Sequence, residues 1–208
     1  MPTATERRLL EAAGEVFSDQ GFRNATVREI CRRAGANVAA VNYYFGGKEG
    51  LYREVLRDSF ARALEQYPPQ GGLKPGASPQ ERLHAFVRAM LLRCLSPGRP
   101  AWHGKLMVRE MAEPTGALDD LVRDFIRPNY ETLQGIVRSI AGPGLNGERL
   151  RLACTSVVGQ CLFHRFAQPV IRTLMPKARY SLQEIDRLAL FIAEFSLRAL
   201  RPQRSAAR

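Results

Sequence analysis

The stretch Thr26-Val27-Arg28-Glu29-Ile30-Cys31-Arg32-Arg33-Ala34-Gly35-Ala36-Asn37-Val38-Ala39-Ala40-Val41-Asn42-Tyr43-Tyr44-Phe45 decides how this chain is read. Thr26 with Glu29 three residues on predicts a helix start closed by a reciprocal capping box. Gly35 marks a short turn, and a second brief helix is expected from Val38 to Phe45. Ile30, Ala34, Val38 and Val41 are spaced to lock the two helices together, which leaves Asn37, Ala39, Ala40, Asn42 and Tyr43 facing outward. Two short helices across a tight turn make a helix-turn-helix, whose second helix enters the major groove. That groove is wide enough for a helix and shows a distinct donor and acceptor pattern for each base pair. The outward face carries no basic residue, which suits apolar contact with a thymine methyl and amide or phenol hydrogen bonds to bases or phosphate. Arg28 is the candidate for a bidentate contact to guanine, with phosphate as its alternative partner. Thr26 can offer its hydroxyl, and the N–H groups of its helix start, to a phosphate.

Working outward from that core, Leu9, Leu10, Ala13, Val16 and Phe17 recur at helical spacing and predict a first helix from near Thr5, ended by Gly21 with Phe22 folding back. A fourth helix is expected to begin at Lys48 and to carry Leu51, Tyr52, Val55, Leu56 and Phe60 on one side. Beyond Gln66, a run of prolines and glycines from Pro68 to Pro79 cannot be helix. The expected organisation is therefore a helix-turn-helix domain over 1–47, a connecting helix over 48–66, a linker over 67–80, a ligand-binding and dimerisation domain over 81–201 and a frayed basic tail over 202–208. Further helices are expected over about 80–95, 101–112, 117–140 with Pro128 as a kink, 147–173 and 182–200. No segment alternates with the two-residue period of a strand, so the fold class is all-α. The last two helices are apolar on most sides and need neighbours on most sides. A homodimer interface is expected through Val157, Val158, Leu162, Phe166, Leu190, Phe191 and Phe195, the alternative being a monomer with these helices at its centre.

Composition narrows the function. The 208 residues are 45% hydrophobic and carry a formal charge of +11. Residues 1–66 hold 10 Lys and Arg against 9 Asp and Glu, so the excess lies in the later half, where it hints at an anionic effector. Cys31, Cys94, Cys154 and Cys161 lack the close pairing of a zinc site or a thioredoxin motif, and reduced thiols in a cytoplasm fit them. No apolar run approaches the roughly 18 residues needed to span a bilayer, so no membrane association is expected. His84, His103 and His164 are scattered and no glycine-rich phosphate loop follows a strand, so neither an enzyme, a cofactor nor a metal site is expected. An alternative is a thiol-based redox regulator acting through Cys154 or Cys161. These lie seven residues apart on one helix face, about 10.5 Å at 1.5 Å per residue, too far to bond each other but able to pair with a mate across a dimer axis.

Residues 5–60 resemble the DNA-binding domain of the TetR family of transcriptional repressors. The likeness rests on Thr26-Val27-Arg28-Glu29-Ile30, on Ala34-Gly35, on Val38 through Phe45 and on Lys48-Glu49-Gly50-Leu51. The resemblance implies base or phosphate contacts for Arg28, Asn37, Ala39, Asn42 and Tyr43, and phosphate contacts for Thr26, Tyr44 and Lys48. The family usually has Tyr where this chain has Asn42, which could instead read adenine. Ser156 through Phe163, with Arg165-Phe166, resemble the C-terminal domain of the CerR-type branch. Family membership implies a homodimer on double-stranded, palindromic operator DNA, released by a small-molecule effector held between C-terminal helices. Residues available to line such a cavity are Phe86, Met90, Trp102, Leu106, Met107, Met111, Phe125, Tyr130 and Phe163, with Arg109, Glu110, Gln160 and His164 as polar groups to orient a ligand. Arg109 and Glu110 read equally well as surface charges.

Overall fold

The computed structural model describes residues 3–96, 101–177 and 179–200, and all of their regular structure is helical. The expected basic tail over 202–208 lies outside the described residues. The helices are α1 (Ala4–Asn24), α2 (Val27–Ala34), α3 (Val38–Phe45), α4 (Lys48–Gln66), α5 (Pro79–Leu95), α6 (Ala101–Ala112), α7 (Ala117–Leu121), α8 (Arg127–Ala141), α9 (Gly147–Phe166), α10 (Gln168–Leu174) and α11 (Leu182–Leu200). A π-helical turn over Val122–Ile126 joins α7 to α8. They form two compact units, one of Met1–Arg62 with Gly98–Phe125, the other of Ala63–Pro97 with Ile126–Arg208. This division differs from one drawn on composition, because α6 and α7 pack with the helix-turn-helix rather than with the helices that follow them.

In the first unit α1 starts at Ala4, within a residue of the expected start, where Thr3 and Glu6 form a capping box. Gly21, at φ 78° and ψ 167°, breaks the helix where the sequence placed its end, and one further turn follows to Asn24. Phe22 folds back as expected, its ring 6.2 Å from that of Phe17 and 4.9 Å from that of Tyr52 on α4. Around these rings Leu9, Ala13, Val16, Ile30, Val41, Leu51 and Leu56 are buried, a core drawn from four helices.

The second unit buries Leu83, Phe86, Val87 and Leu91 of α5, Leu133, Ile136 and Val137 of α8, Leu150, Cys154, Val157 and Cys161 of α9, and Ile185, Ala189 and Ile192 of α11. Each of these faces repeats every three or four residues, the stripe a helix needs to bury against neighbours. Two expected long helices are interrupted, both by proline. Pro128 lacks the N–H that would bond the carbonyl of Asp124, and the chain widens into the π-helical turn just before it. Pro169 cannot bond the carbonyl of Arg165, so α9 stops at Phe166 and α10 restarts beyond Ala167. The breaker-rich stretch is tied into this unit: Arg93 donates to the Tyr67 carbonyl at 2.6 Å, and the Tyr67 and Ser96 hydroxyls meet at 3.0 Å.

Gly50, in the first turn of α4, sits so close to α3 that a Cβ there would fall 1.8 Å from the Phe45 carbonyl oxygen. Backbone cannot yield as a side chain can. Gly50→Ala is expected to destabilise the protein by about 1–3 kcal/mol, read as a lowered urea midpoint with an unchanged slope.

Candidate nucleic-acid interface

The helix-turn-helix is assembled by local chemistry. The Thr26 side chain accepts from the Glu29 N–H at 3.2 Å and so caps α2. The reciprocal half of the expected capping box is replaced: the Glu29 carboxylate takes two bonds from Arg32 at 2.8 Å and one from Arg33 at 2.7 Å. Charged guanidinium donors compete better for a carboxylate than a neutral N–H does, and they hold the Glu29 carboxyl down at about 2. Gly35 then takes the left-handed cap position at φ 60°. Asn37 caps α3, its side-chain oxygen accepting from the Ala39 N–H at 2.9 Å.

Ile30, Ala34 and Val41 lock the helices as expected, whereas Val38 is 46% exposed. Its place is taken by Cys31, buried against the turn with its thiol 3.7 Å from the Asn37 carbonyl. Cys31, between Ile30 and Arg32, gave no sequence signal for that role beyond its small, apolar character. The side chains left on α3 point outward: Ala39, Asn42 and Tyr43 are exposed, Tyr43 at 83%. Tyr44 is half-buried beneath Tyr43, their rings edge to face at 4.9 Å. Arg28 is exposed and carries neither hydrogen bond nor ion pair among the described residues, which leaves its guanidinium fork available. Lys48 lies beside this surface, its Nζ donating to the Arg23 carbonyl at 3.1 Å and resting 4.8 Å above the Phe22 ring. That lysine joins the end of α1 to the start of α4.

Helix α6 braces this head, a role the sequence did not reveal. Trp102 packs flat on Gly14 of α1, where a Cβ would come within 2.6 Å of the indole. Arg109 donates to the Ser18 carbonyl at 2.8 Å and the Asp19 carbonyl at 2.7 Å. Glu110 is fully buried and its carboxylate is satisfied on both oxygens. The Tyr52 hydroxyl donates at 2.8 Å, the Thr115 N–H at 2.9 Å and the Thr115 hydroxyl at 3.0 Å. Burial and then this bond to Glu110 push the Tyr52 phenol far above its ordinary value. Arg109 and Glu110 therefore hold α6 to the head, where a surface position or a ligand contact was expected.

The other expected cavity residues divide between the two units. Trp102, Leu106, Met107, Met111 and Phe125 belong to the first unit, where Met111 is exposed and Phe125 stacks on Phe60 at 5.6 Å. Phe86, Met90, Tyr130, Gln160, Phe163 and His164 belong to the second. There Phe86 is core, Phe163 is 56% exposed, Gln160 reaches the Ser196 hydroxyl at 3.4 Å, and His164 meets the Tyr180 hydroxyl at 3.3 Å. Among the expected interface residues Phe166, Leu190, Phe191 and Phe195 are exposed, whereas Val157 turns inward at 2% and Val158 and Leu162 are half-buried. Val157 follows Cys154 by three residues and Cys161 follows by four, so it shares their core-facing stripe. Both cysteines are sealed in that core, where burial raises Cys154 to about 11 and Cys161 to about 12, so neither offers the surface thiolate that redox pairing across an axis needs. Among the described residues no group of three or more His, Cys, Asp or Glu is placed to hold a metal, and no helix is long and apolar enough to cross a membrane.

Comparison with known proteins places this geometry. Residues 9–55 match the profile of the tetR family of bacterial regulatory proteins, and residues 79–200 match the C-terminal domain of the HTH-type transcriptional dual regulator CecR. The chain belongs to the TetR family, with a CecR-type C-terminal domain. The CerR-type branch that the C-terminal half resembles corresponds to that of CecR. CecR of Shigella flexneri is 29% identical over 180 residues, 80% of this chain and 78% of CecR. BetI of Escherichia coli is 30% identical over 87 residues, 42% of this chain and 45% of BetI. Two crystal structures share the fold. A TetR-like regulator from Rhodococcus sp. RHA1 has a TM-score of 0.69 at 22% identity, covering 95% of this chain and 98% of that one. AibR, solved with isovaleryl coenzyme A and operator DNA, has a TM-score of 0.66 at 19% identity, covering 88% and 94%. As a TetR-family member the chain is a helix-turn-helix DNA-binding transcriptional regulator and not an enzyme.

Two measurements check the head. Tyr52→Phe leaves a buried carboxylate oxygen short of its best donor and is expected to cost about 1–3 kcal/mol in urea denaturation. Glu29 has a folded-state pKa below its unfolded value, so its pairing stabilises above the unfolded pKa and is lost as pH falls towards about 2. A carbon-13 titration of its carboxyl should find the midpoint there; one in the ordinary carboxylate range would mean Arg32 and Arg33 do not pair with it.

Proposed function

We propose that this chain is a ligand-responsive repressor that binds palindromic operator DNA as a homodimer. The observation that carries the reading is α3: a short helix locked from behind by Ile30, Cys31, Ala34 and Val41, with Ala39, Asn42 and Tyr43 presented outward and Arg28 unpaired beside them. In that reading Ala39 meets a thymine methyl, Asn42 and Tyr43 bond bases or phosphate, and Arg28 reads guanine. Thr26, Asn37, Tyr44 and Lys48 fix the head on the backbone. The Asn37 side-chain oxygen is spent on its cap, so it contacts DNA through its amide N–H groups.

Dimerisation is supported by the outer faces of α9 and α11. Leu152, Phe163 and Phe166 on one and Leu190, Phe191 and Phe195 on the other are large apolar side chains left in water. Such a surface is characteristic of an interface, where each buried side chain gains about 1.5–3 kcal/mol. A self-complementary pairing of two chains through these helices sets two heads on half-sites about 34–36 Å apart, or a multiple of it. The effector is a small molecule bound in the second unit, with Met90, Tyr130, Gln160 and His164 as its candidate contacts. It changes operator affinity only by its differential affinity for the two dispositions of the heads. The chain works in the cytoplasm, where its DNA is.

Fluorescence anisotropy on an operator selected from random duplex tests the reading. Arg28→Ala is expected to cost about 1–3 kcal/mol on the selected site and little on random duplex. Equal losses on both would refute base reading by Arg28. Phe191→Glu with Phe195→Glu is expected to convert the dimer to monomer in sedimentation and to abolish specific binding; a dimer that persists would refute the α9 and α11 interface.

A further inference from the structure

We propose that Arg23, in the last turn of α1, is a further DNA contact of this regulator: its guanidinium binds a backbone phosphate on the flank of the half-site, beside the phosphate that Thr26 and Lys48 are placed to hold. The inference rests on the helix-turn-helix being the DNA-binding element, and it stands apart from the palindrome, the dimer and the effector.

Gly21 turns the backbone out of helical geometry, and the turn beyond it carries Phe22, Arg23 and Asn24 straight into the cap of α2 at Thr26. That turn is fixed from several sides. The Ala25 N–H donates to the Gly21 carbonyl at 3.2 Å, the Asn24 side-chain amide donates to the Gln20 carbonyl at 3.3 Å, and the Phe22 ring packs against those of Phe17 and Tyr52. Arg109 holds the Ser18 and Asp19 carbonyls just before the break. Beyond the break, the Lys48 ammonium donates to the Arg23 carbonyl at 3.1 Å. The main chain of Arg23 thus touches the lysine that heads α4, and Thr26 follows three residues later, at most about 11 Å along the chain. Lys48 has three N–H donors and spends one on this bond.

The Arg23 side chain is exposed and makes neither hydrogen bond nor ion pair among the described residues. A cation in the last turn of a helix is commonly accounted for by the helix dipole. Here Lys48 already answers the Arg23 carbonyl, so that end of α1 has its cation without the guanidinium. The acids nearest in the chain are committed elsewhere: Glu15 meets Arg33, Asp19 meets Lys105, and Glu29 meets both Arg32 and Arg33. An unpaired guanidinium fork on a fixed backbone, beside an ammonium and the start of a helix, suits a bidentate grip on phosphate. Arg23 precedes α2 and lies off α3, so its contact sets position and carries no sequence information.

Anisotropy of the full chain on a selected operator and on random duplex, read across a salt series from about 50 to 200 mM, tests the contact. Arg23→Gln is expected to weaken both duplexes alike, by about three- to tenfold near 0.1 M salt, and to lower the slope of log affinity against log salt by about 1 for each subunit bound. Arg23→Lys keeps the charge and should restore the slope while recovering only part of the affinity, because an ammonium has no fork. The position is exposed and its carbonyl remains available to Lys48 in both variants, so the urea midpoint should not move. An unchanged slope in Arg23→Gln overturns the contact, as does a loss confined to the selected operator, which would make Arg23 a reader of bases. A lowered urea midpoint with the same loss in Arg23→Lys overturns it as well, since the residue would then only brace α1. Failure of the underlying reading looks different. A wild-type chain that binds neither duplex removes the DNA-binding role itself, whereas one that binds random duplex without selecting a site removes operator recognition and leaves the Arg23 slope measurable.

Discussion

The buried Glu110 carboxylate is the constraint on which the DNA-binding head depends. A helix-turn-helix of some 45 residues buries too little surface to be stable on its own. Here α4 and α6 supply the missing partners, and Glu110 ties the two together through Tyr52 on α4 and Thr115 beyond α6. A carboxylate with no exposure persists in a core only when its oxygens are answered, and three donors within 3.0 Å answer these. Arg109 adds the complementary contact, capping carbonyls of α1 next to Gly21, where that helix loses its regular geometry. The recognition surface therefore stands on helices drawn from both sides of the proline-rich stretch.

Local charge pairing prepares that surface. Net charge over the first 66 residues is close to zero, so affinity for DNA is not a matter of bulk electrostatics in this region. Glu29 occupies Arg32 and Arg33, and Lys48 is engaged with Arg23 and Phe22, while Arg28 is left unpaired. Neutralising two arginines and sparing a third concentrates the free guanidinium chemistry at one point beside α3. The second unit works by the opposite arrangement, with large apolar side chains of α9 and α11 left outside.

The amino-acid sequence by itself determined the all-helical class, the helix-turn-helix and its outward face. These follow from capping residues, glycine positions and three- and four-residue apolar spacing, all of which act between neighbours in the chain. It also placed Phe22 against α1, and it marked Phe166, Leu190, Phe191 and Phe195 as surface in need of cover. Tertiary structure alone decided the rest. That Glu110 is core and Arg109 a clamp depends on carbonyls and a phenol at least 58 residues away in the chain. Whether Val157 or Phe163 faces inward depends on which side of an all-round apolar helix meets its neighbours, and periodicity cannot choose a side when every side is apolar. The candidate ligand contacts divide between the two units for the same reason: residue type says what can line a cavity, and only packing between distant segments says which unit a residue joins.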